Sequence, residues 1–444
     1  MGIDVRDVIV ADIYSRAQEV ARKCVLTDAR GKVDWDRRLD DILTSRLFGF
    51  PIMLGLLAVV FWLTVTGANY PSQLLAKALF WGQDELTDLF MQVGAPAWLH
   101  GVLVLGVYRT VAWVVSVMLP PMAIFFPCFT LLEDLGYLAR VTFNLDGFFK
   151  KCGAHGKQAL TMCMGFGCNA AGVIACRIID SPRERLIATL TNNFVPCNGR
   201  FPTLIMLSSL LVAGTAAFSL STAYASAVVV AFVLLGIAIT LGVSWLLSRT
   251  LLRGVPSSFA LELPPYRKPQ VGGVLVRSIL DRTIFVLMRA VVVAAPAGAL
   301  VWILGNLDIQ GQSVITHVST WLAPLGKAIG LDGFILTAFL LGLPANEIVM
   351  PILIMSYMSR GSLVELDSLP ALRALLVANG WTWLTAVNMM LFSLLHYPCS
   401  TTLLTIHRET GSVRWTVLAA LIPLVIALAV CFLVAQSVRI LGLA

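Results

Sequence analysis

Charged residues are scarce in this chain of 444 residues, in which Asp, Glu, Lys and Arg make up 13%. A soluble domain carries about 25% charged residues, so this scarcity excludes an ordinary soluble protein. Hydrophobic residues make up 58% of the chain, and mean hydropathy is +0.84. Apolar runs that are long enough to cross a membrane as helices occur at 47–67, 101–119, 120–138, 158–177, 186–213, 222–248, 284–305, 331–358, 378–405 and 413–436. The sequence therefore predicts an all-α, polytopic membrane protein with about ten transmembrane segments.

Motifs of nucleotide binding and catalysis are also absent. The glycine-rich stretch MGFGCNAAG, residues 164–172, has Ala170 where a Rossmann loop needs glycine, and no predicted strand precedes it. The stretch GAHGKQ fails as a Walker loop because Gln158 follows its lysine, where Ser or Thr is required. No H-E-x-x-H or G-x-S-x-G arrangement occurs, the five histidines are scattered, and the nine cysteines include no CxxC pair. We therefore expect neither an enzyme nor a disulfide framework.

Positive charge is concentrated in two segments, and the net charge is +7. Residues 1–46 hold nine Lys or Arg and residues 249–283 hold six, whereas 68–100 and 306–330 hold one lysine each. Because cytoplasmic segments of membrane proteins are enriched in Lys and Arg, we expect both basic segments in the cytoplasm. The expected partner is thus the lipid bilayer rather than nucleic acid. Residues 1–46 contain no apolar run of the kind found in a cleavable signal peptide.

The basic segments divide the chain into four predicted parts. Residues 1–46 form a cytoplasmic amphipathic lead-in, with Leu39, Ile42, Leu43 and Leu47 at helical spacing. The other parts are a first membrane half (47–248), a Pro-rich basic cytoplasmic linker (249–283) and a second membrane half (284–444).

The two membrane halves share a faint internal repeat at an offset of 177 residues. Gly153, Gly156, Gly165 and Asn169 match Gly330, Gly333, Gly342 and Asn346. Internal repeats with broken helices at corresponding places indicate the central site of a transporter. The sense of the repeat depends on segment 158–177. If this segment crosses the membrane, four spans separate the copies and they run parallel. If it is re-entrant, three spans separate the copies and the copies are inverted.

Polar or helix-breaking residues interrupt five of the apolar runs. They are Glu133 and Asp134; Cys168 and Asn169; Pro196, Cys197 and Arg200; Pro344, Asn346 and Glu347; and His396, Pro398 and Cys399. Irregular backbone at membrane depth is tolerated where it packs inside the protein or lines a cavity. Thiolates combined with amide and carboxylate oxygens suit a divalent transition metal such as Fe²⁺ better than Mg²⁺ or Ca²⁺. We therefore predict a metal pathway that binds weakly enough to release its ion, with candidate ligands Cys168, Cys197, Cys399, Asn169, Asn346 and Glu347.

Several of these residues have a structural alternative. Glu133 and Asp134, which we expect to attract cations or to couple to gating, also fit an interfacial pair at the end of a span. Glu347 also fits a buried ion pair with Arg200, and His396 fits packing as well as ligation. Each cysteine taken alone fits packing as a small hydrophobe, and only their shared setting beside helix breakers favours a site.

Five motifs, in order along the chain, resemble the membrane domain of the ferrous-iron transport protein B family (FeoB). They are LLEDLGYLAR, GFGCN, ANEIVMP, YPCSTTLLTI, and ETGS followed by WT, and the resemblance covers about residues 34–436. It implies two gate-type repeats containing broken helices around an Fe²⁺ route, with Cys168, Cys197 and Cys399 as pore ligands. It also implies Fe²⁺ uptake across the bacterial inner membrane.

The chain departs from the family pattern in three places. Ala170 and Ala171 stand where the family usually has Val-Pro, and Pro196 with Asn198 changes the usual surroundings of the second cysteine. The family also carries an N-terminal GTP-binding domain, whose phosphate loop is not found in residues 1–33. We therefore expect either a separate GTP-binding protein acting in trans or a protein that works without GTP.

A permease for a divalent metal, with Fe²⁺ as the transported ion and no permanently bound cofactor, is the first functional hypothesis. Two alternatives stay open at this point. One is a gate-domain transporter of a nucleoside or another small organic solute. The other is a non-transporting membrane partner of a soluble G protein. The sequence leaves open whether the chain forms a homo-oligomer and whether Fe²⁺ is preferred over Mn²⁺ or Zn²⁺.

Overall fold

The computed structural model describes residues 5–24, 35–45, 47–212, 218–254, 266, 270–358, 361–363 and 369–442. The helices of the first half are α1 (Val5–Cys24), α2 (Trp35–Leu43), α3 (Gly49–Gln92), α4 (Ala97–Asp134), α5 (Tyr137–Lys151), α6 (Gln158–Gly167), α7 (Asn169–Ala175), α8 (Pro182–Thr191), α9 (Phe201–Val212) and α10 (Phe218–Arg249). Helix α4 contains a π-helical segment, Gly101–Tyr108, and α7 continues as a 3₁₀ turn, Cys176–Ile178.

The second half begins with a long helix and a short antiparallel hairpin. Its elements are α11 (Val271–Asn306), β1 (Asp308–Ile309), β2 (Gln312–Ser313), α12 (Val314–Ala328), α13 (Gly333–Leu341), α14 (Val349–Tyr357), α15 (Leu369–Ala378), α16 (Trp383–Leu395), α17 (Ser400–Thr410) and α18 (Val413–Ile440). In the hairpin Asp308 pairs with Ser313. A 3₁₀ turn, Asn346–Ile348, leads into α14.

Six stretches of the described residues are long and apolar enough to cross a membrane: α3, α4, Ala227–Arg249 of α10, α11, Trp383–Thr410 across α16 and α17, and α18. The number is seven if α12 and α13, which are bent by 114° to each other, form one span. The predicted all-α, multi-pass class is confirmed, but the number of ten spans is not. The predicted span 101–119 and residues 120–134 of the next lie together in α4, and 158–177 is divided between α6 and α7.

Contacts between helix ends define two opposite faces of the molecule. On the first, called the α5 face, the Ser248 hydroxyl of α10 donates to the Cys152 carbonyl beyond α5 at 3.2 Å. At the same face Arg183 Nε, at the start of α8, donates to the Leu252 carbonyl at 2.5 Å. The opposite side, called the α12 face, carries the β-hairpin and the end of α18. The chain therefore crosses from one face to the other in α8–α9, returns in α10 and crosses again in α11.

Helices α6 and α7 form a re-entrant hairpin that enters from the α5 face and returns to it. Lys157, just before α6, donates from Nζ to the Ile178 carbonyl and to Asp180 Oδ2, both at 2.9 Å. The two ends of the pair therefore lie side by side. An α-helix of ten residues is about 15 Å long, half of the roughly 30 Å hydrocarbon core. The turn at Cys168 thus lies about halfway across.

The predicted repeat is visible in the backbone. Gly153 and Gly330 follow α5 and α12 with φ of 71° and 73°, a left-handed conformation that glycine adopts without steric cost. Cys168 and Ala345, 177 positions apart, share an extended backbone with φ, ψ of −157°, 128° and −152°, 124°. Each of these two residues separates the two helices of the re-entrant pair in its own repeat, at corresponding positions.

The two repeats are inverted. Helices α13 and α14 form the second re-entrant pair, and the Tyr357 hydroxyl at the end of α14 donates to Asp332 Oδ2 at the start of α13. This pair opens on the α12 face, whereas α6–α7 opens on the α5 face. The three crossings between the two hairpins give this opposite sense, as expected for a re-entrant 158–177.

The glycines of MGFGCNAAG let the first hairpin close around a buried side chain. Asn192 lies against both helices: a Cβ added at Gly165 or Gly172 would lie 2.8 or 2.6 Å from its carboxamide atoms. A Cβ at Gly167 would lie 2.7 Å from the Phe125 ring. Real Cβ atoms essentially never show contacts under 3.0 Å. These glycines therefore serve close packing around a cavity and not phosphate binding.

A polar cluster on the α5 face joins three of the predicted parts of the chain. Arg140 of α5 donates from Nε and Nη2 to Asp40 of α2, at 2.9 and 3.2 Å. Tyr266, from the predicted linker, donates its hydroxyl to Asp40 Oδ1 at 2.8 Å and lies under the Arg140 guanidinium. The hydrogen bonds from Arg140 hold the pKa of Asp40 below its usual range. Residues 255–265 and 267–269 of the predicted linker lie outside the described residues, and its last part belongs to α11.

Candidate functional site

A cavity lies where the two re-entrant hairpins meet the two broken helices, α8–α9 and α16–α17. The cavity and its open mouth together hold about 430 Å³ of space free of atoms. Its walls include all six residues predicted for the metal pathway, Cys168, Asn169, Cys197, Asn346, Glu347 and Cys399. The other lining residues are Met118, Gly167, Gly199, Val286, Ala290, Pro344, Ala345, Thr401 and Thr402. The fold thus brings together positions that lie more than 200 residues apart in sequence.

Two helix breaks place Cys168 and Cys197 in the cavity wall. Cys168 is the extended residue between α6 and α7. Cys197 lies in the break before α9, directly after Pro196, which has no N–H group with which to continue a helix. The Asn198 amide donates to the Gly167 carbonyl at 3.4 Å, so the two breaks are in direct contact.

The third cysteine lies in the break between α16 and α17. The Ser400 amide and hydroxyl both donate to the Leu343 carbonyl, at 2.8 and 3.0 Å, which joins this break to the second hairpin. Cys399 Sγ lies 3.3 Å from Thr402 Oγ1. Helix α17 begins directly after Cys399. Because a helix N-terminus carries partial positive charge, it favours an anionic group such as a thiolate.

Arg200 does not pair with Glu347, so the alternative of a buried ion pair between them is not realised. Its side chain is completely buried. Nη1 donates to the carbonyls of Asn193 and Leu394, at 2.7 and 2.8 Å. Nη2 donates to Asn193 Oδ1 at 3.0 Å and to the His396 carbonyl at 3.1 Å. The broken helices leave carbonyls without helical partners, and the planar guanidinium fork satisfies several of them at once.

Glu347 faces the cavity beside a glycine of the opposite repeat. A Cβ added at Gly199 would lie 2.2 Å from Glu347 Oε1, so the carboxylate occupies the space that a side chain at this position would fill. Since the guanidinium of Arg200 is engaged by carbonyls, the Glu347 carboxylate contributes negative charge to the cavity wall. It is therefore available to a cation.

Asn193 is a site residue that sequence reasoning missed. Its Nδ2 donates to the His396 carbonyl at 2.7 Å, and its Oδ1 accepts from Arg200. It therefore joins the break of the first repeat to that of the second. The only sequence signal was a pair of asparagines just before the break. Thr401 and Thr402, which directly follow the CS pair at 399–400, were missed in the same way.

Asn346 links the second hairpin to the other breaks. Its Nδ2 lies 3.9 Å from Cys197 Sγ, and its Oδ1 lies 3.3 Å from His396 Nε2. Asn169, its repeat mate, is held by the first repeat. In the amide orientation that satisfies its neighbours, it donates to the carbonyls of Val195 and Gly165, each at 3.2 Å. Both asparagines are buried.

The cavity is not a closed metal cage. Within the part of the chain that the structure describes, no three His, Cys, Asp or Glu side chains converge closely enough to hold a metal ion. All nine cysteines are free thiols. The three thiols, two amides and one carboxylate surround a shared space without meeting at one point. An open donor set of this kind suits a passing ion better than a resident one.

Glu133 and Asp134 lie elsewhere. They form the last residues of α4 at the α5 face, are exposed and do not line the cavity. This position agrees with the interfacial alternative. Their roles in attracting cations and in gating stay predictions.

Comparison with known proteins places the chain in a family. Residues 115–211 and 287–413, about half of the chain, match the Gate model, which is described as nucleoside recognition. Residues 229–281 match the model of the ferrous iron transport protein B C terminus. No solved structure matches the chain.

Several curated proteins are similar over most of the chain. The Fe(2+) transporter FeoB of Staphylococcus aureus strain MSSA476 is 29% identical over 409 residues, 90% of this chain and 58% of the relative. The Fe(2+) transporter FeoB of Methanocaldococcus jannaschii is 26% identical over 448 residues, 98% of this chain and 63% of the relative. A fusion of Fe(2+) transport protein A with FeoB in Porphyromonas gingivalis is 27% identical over 447 residues, 89% of this chain and 51% of the relative. The chain thus spans about half to two thirds of the length of these relatives. It belongs to the FeoB family, of which it represents the membrane domain.

Proposed function

We propose that this chain is a permease for a divalent transition metal and that Fe²⁺ is its transported ion. The observation that carries the proposal is the cavity in which Cys168, Cys197 and Cys399 meet Asn169, Asn346 and Glu347. The names of the relatives, Fe(2+) transporters, support iron as the cargo. Soft sulfur with a few oxygen donors favours Fe²⁺ over Mg²⁺ or Ca²⁺, which prefer oxygen alone.

The inverted repeats support transport over static binding. Each repeat contributes a re-entrant hairpin, and each hairpin opens on a different face, so the cavity lies between two equivalent but opposed structures. Inverted repeats of this kind let one central site open alternately to either side. The open donor set permits release because no closed cage has to be dismantled.

The proposed orientation has the α5 face in the cytoplasm of a bacterial cell. This face carries Lys150, Lys151 and Lys157 near α5 and Arg177 after α7. The positive-inside rule assigns such a face to the cytoplasmic side of the inner membrane. A reagent that cannot cross membranes, applied to intact spheroplasts, should then label a cysteine introduced in the β-hairpin and leave Cys24 of α1 unlabelled.

The test is metal flux into liposomes that contain the purified protein under reducing conditions, with Fe²⁺, Mn²⁺ and Zn²⁺ compared. We expect Fe²⁺ flux, and a fall of at least about tenfold in Cys168→Ser and Cys197→Ser. The matched control is Cys431→Ser. Cys431 is also buried but donates to the Asn388 carbonyl away from the cavity, and serine keeps this hydrogen bond. Unchanged flux in both cavity variants would contradict a thiol pathway.

The same liposomes decide between the proposal and its two alternatives. The description of the Gate model keeps a nucleoside or another small organic solute as a second candidate cargo. Uptake of nucleoside that is indifferent to Cys168→Ser but lost in Asn169→Ala would support it. A non-transporting membrane partner of a soluble G protein would show no flux of any solute but tight binding to the GTPase. Restoration of Fe²⁺ flux by an added GTP-binding protein would instead support a partner acting in trans.

A further inference from the structure

His396 lies in the break between α16 and α17 and contacts the cavity only through another residue. Its side chain is 1% exposed. The ring packs among Phe339, Phe392 and Tyr397, with centroid distances of 4.8, 5.8 and 5.1 Å. His396 is not a member of the cavity wall, whereas its neighbour Asn346 is. Its role must therefore be explained by its hydrogen bonds.

The hydrogen bonds of the ring decide which nitrogen carries the proton. Nδ1 lies 3.0 Å from the Phe392 carbonyl and 2.9 Å from the Ser393 carbonyl. Both neighbours are acceptors, so Nδ1 must be the donor and must carry a hydrogen. The remaining nitrogen, Nε2, lies 3.3 Å from Asn346 Oδ1.

The ring is neutral for an electrostatic reason. The buried guanidinium of Arg200 donates to the backbone carbonyl of His396 itself, at 3.1 Å. An imidazolium would add a second buried positive charge beside it, at a high desolvation cost. In a neutral ring with Nδ1 protonated, Nε2 has a lone pair and requires a donor.

We propose that His396 is a positioning residue for Asn346: it accepts a hydrogen bond from the Asn346 carboxamide nitrogen and turns the carboxamide oxygen towards Cys197. The oxygen and nitrogen arms of a carboxamide have nearly the same shape, so the hydrogen-bond network decides which arm points where. In the structure Asn346 Nδ2 lies 3.9 Å from Cys197 Sγ and Oδ1 lies 3.3 Å from His396 Nε2, so the proposal exchanges the two arms and brings the oxygen beside the thiol. Asn346 and Cys197 thereby present an oxygen and a sulfur side by side to the cavity.

This inference rests on the proposed function, because an oriented oxygen matters if a cation passes. Without His396 the carboxamide could rotate and present its NH₂ group, which cannot bind a cation. Residues that orient a metal ligand typically change metal affinity by about 10–100-fold when removed. Phe392 and Ser393 orient the ring through their backbone carbonyls, and the Phe392 ring also packs against it.

The first test measures the proton directly and does not depend on metal. Nitrogen NMR of protein labelled at histidine distinguishes a protonated ring nitrogen from one with a lone pair. The signals of residue 396 are assigned by their loss in His396→Phe. We expect a protonated Nδ1 and an unprotonated Nε2. A protonated Nε2, in either the other tautomer or an imidazolium, would overturn the inference.

The second test compares two variants with Co²⁺ as a probe, whose absorption reports thiolate coordination. His396→Phe keeps the aromatic packing but removes the acceptor, and we expect Co²⁺ affinity to fall by about 10–100-fold. His396→Gln keeps an acceptor near the Nε2 position and should restore most of the affinity. Equal affinity in the wild type and His396→Phe would overturn the proposal. Equal loss in both variants, with both folded, would also overturn it because the acceptor would then be irrelevant.

The outcomes also separate this inference from the proposed function. If the wild type binds no Co²⁺ and transports no Fe²⁺, the permease proposal fails, and the NMR result alone decides the orientation of Asn346. If the wild type binds Co²⁺ but the tautomer is wrong, the permease proposal stands and the positioning role is refuted.

Discussion

Replacement of Arg200 is expected to uncouple the two repeats, because its guanidinium donates hydrogen bonds to carbonyls of both broken helices. Four acceptors within 3.1 Å surround its two Nη groups: the carbonyls of Asn193, Leu394 and His396 and the Asn193 side chain. Arg200→Met leaves all four without this donor. The His396 carbonyl keeps its hydrogen bond from Asn193 Nδ2, so three groups are left unsatisfied, and at about 1–3 kcal/mol for each the loss is about 3–9 kcal/mol. Because native proteins are stable by about 5–15 kcal/mol, we expect this variant to lose most of its stability.

Arg200→Lys is the informative variant. A lysine keeps the charge but presents three donors from one atom, so at least one of the four acceptors loses its partner. The expected cost is about 1–3 kcal/mol in the free energy of unfolding. The assay is reversible unfolding in mixed detergent micelles, combined with the alkylation rate of Cys197, which should rise as the break loosens. Arg439→Lys is a matched control, since Arg439 is exposed and contacts Lys327 far from the cavity.

Two results would refute this reasoning. If Arg200→Lys unfolds like the wild type, the four hydrogen bonds do not hold the breaks together. If Arg200→Met folds and transports normally, the carbonyls must find other donors, and the link between the repeats lies elsewhere.

Two further predictions concern the α5 face and the cavity wall. Because the Arg140 hydrogen bonds depress the pKa of Asp40, the ionised carboxylate stabilises the fold above the ordinary value of 3.8, and this stabilisation is lost as pH falls through the lower folded pKa. Thermal unfolding between pH 3 and 6 should show this loss in the wild type and not in Asp40→Asn; parallel curves would contradict it. Gly199→Ala places a Cβ 2.2 Å from Glu347 Oε1. It should therefore displace the carboxylate and reduce Fe²⁺ flux more than Gly147→Ala, where a Cβ meets nothing within 4 Å; equal flux would contradict it.

The candidate site was largely predictable because its residues share a local property. Cysteine, asparagine and glutamate beside proline or glycine inside an apolar run are costly unless they line a cavity. The same local rules place the helix breaks at Cys168, Cys197 and Cys399. Asn193 has the same carboxamide group as Asn169 and Asn346, but it stands beside no helix breaker, which is why it was missed. Val286 and Ala290 were not predictable, since a wall of small apolar residues looks like any other face of a membrane helix.

The number of spans was not predictable because hydropathy shows how long an apolar run is, but not whether the run crosses the membrane or turns back. Segment 158–177 has enough apolar residues for a crossing, yet the chain turns back at Cys168 and returns to the α5 face. Conversely, 101–138 reads as two spans, but its residues 101–134 fold as one helix. Whether an apolar run crosses, returns or continues depends on which other elements pack against it.

The sequence by itself determined the helical membrane class, the internal repeat and the positions of the helix breaks, because these follow from apolar length and local backbone sterics. Only the tertiary structure decided that the repeats are inverted and that the six donors share one cavity. It also decided that Arg200 binds carbonyls and not Glu347. Charge attraction is visible in a sequence, whereas the carbonyls released by a broken helix acquire positions, and therefore partners, only when the broken helices pack together.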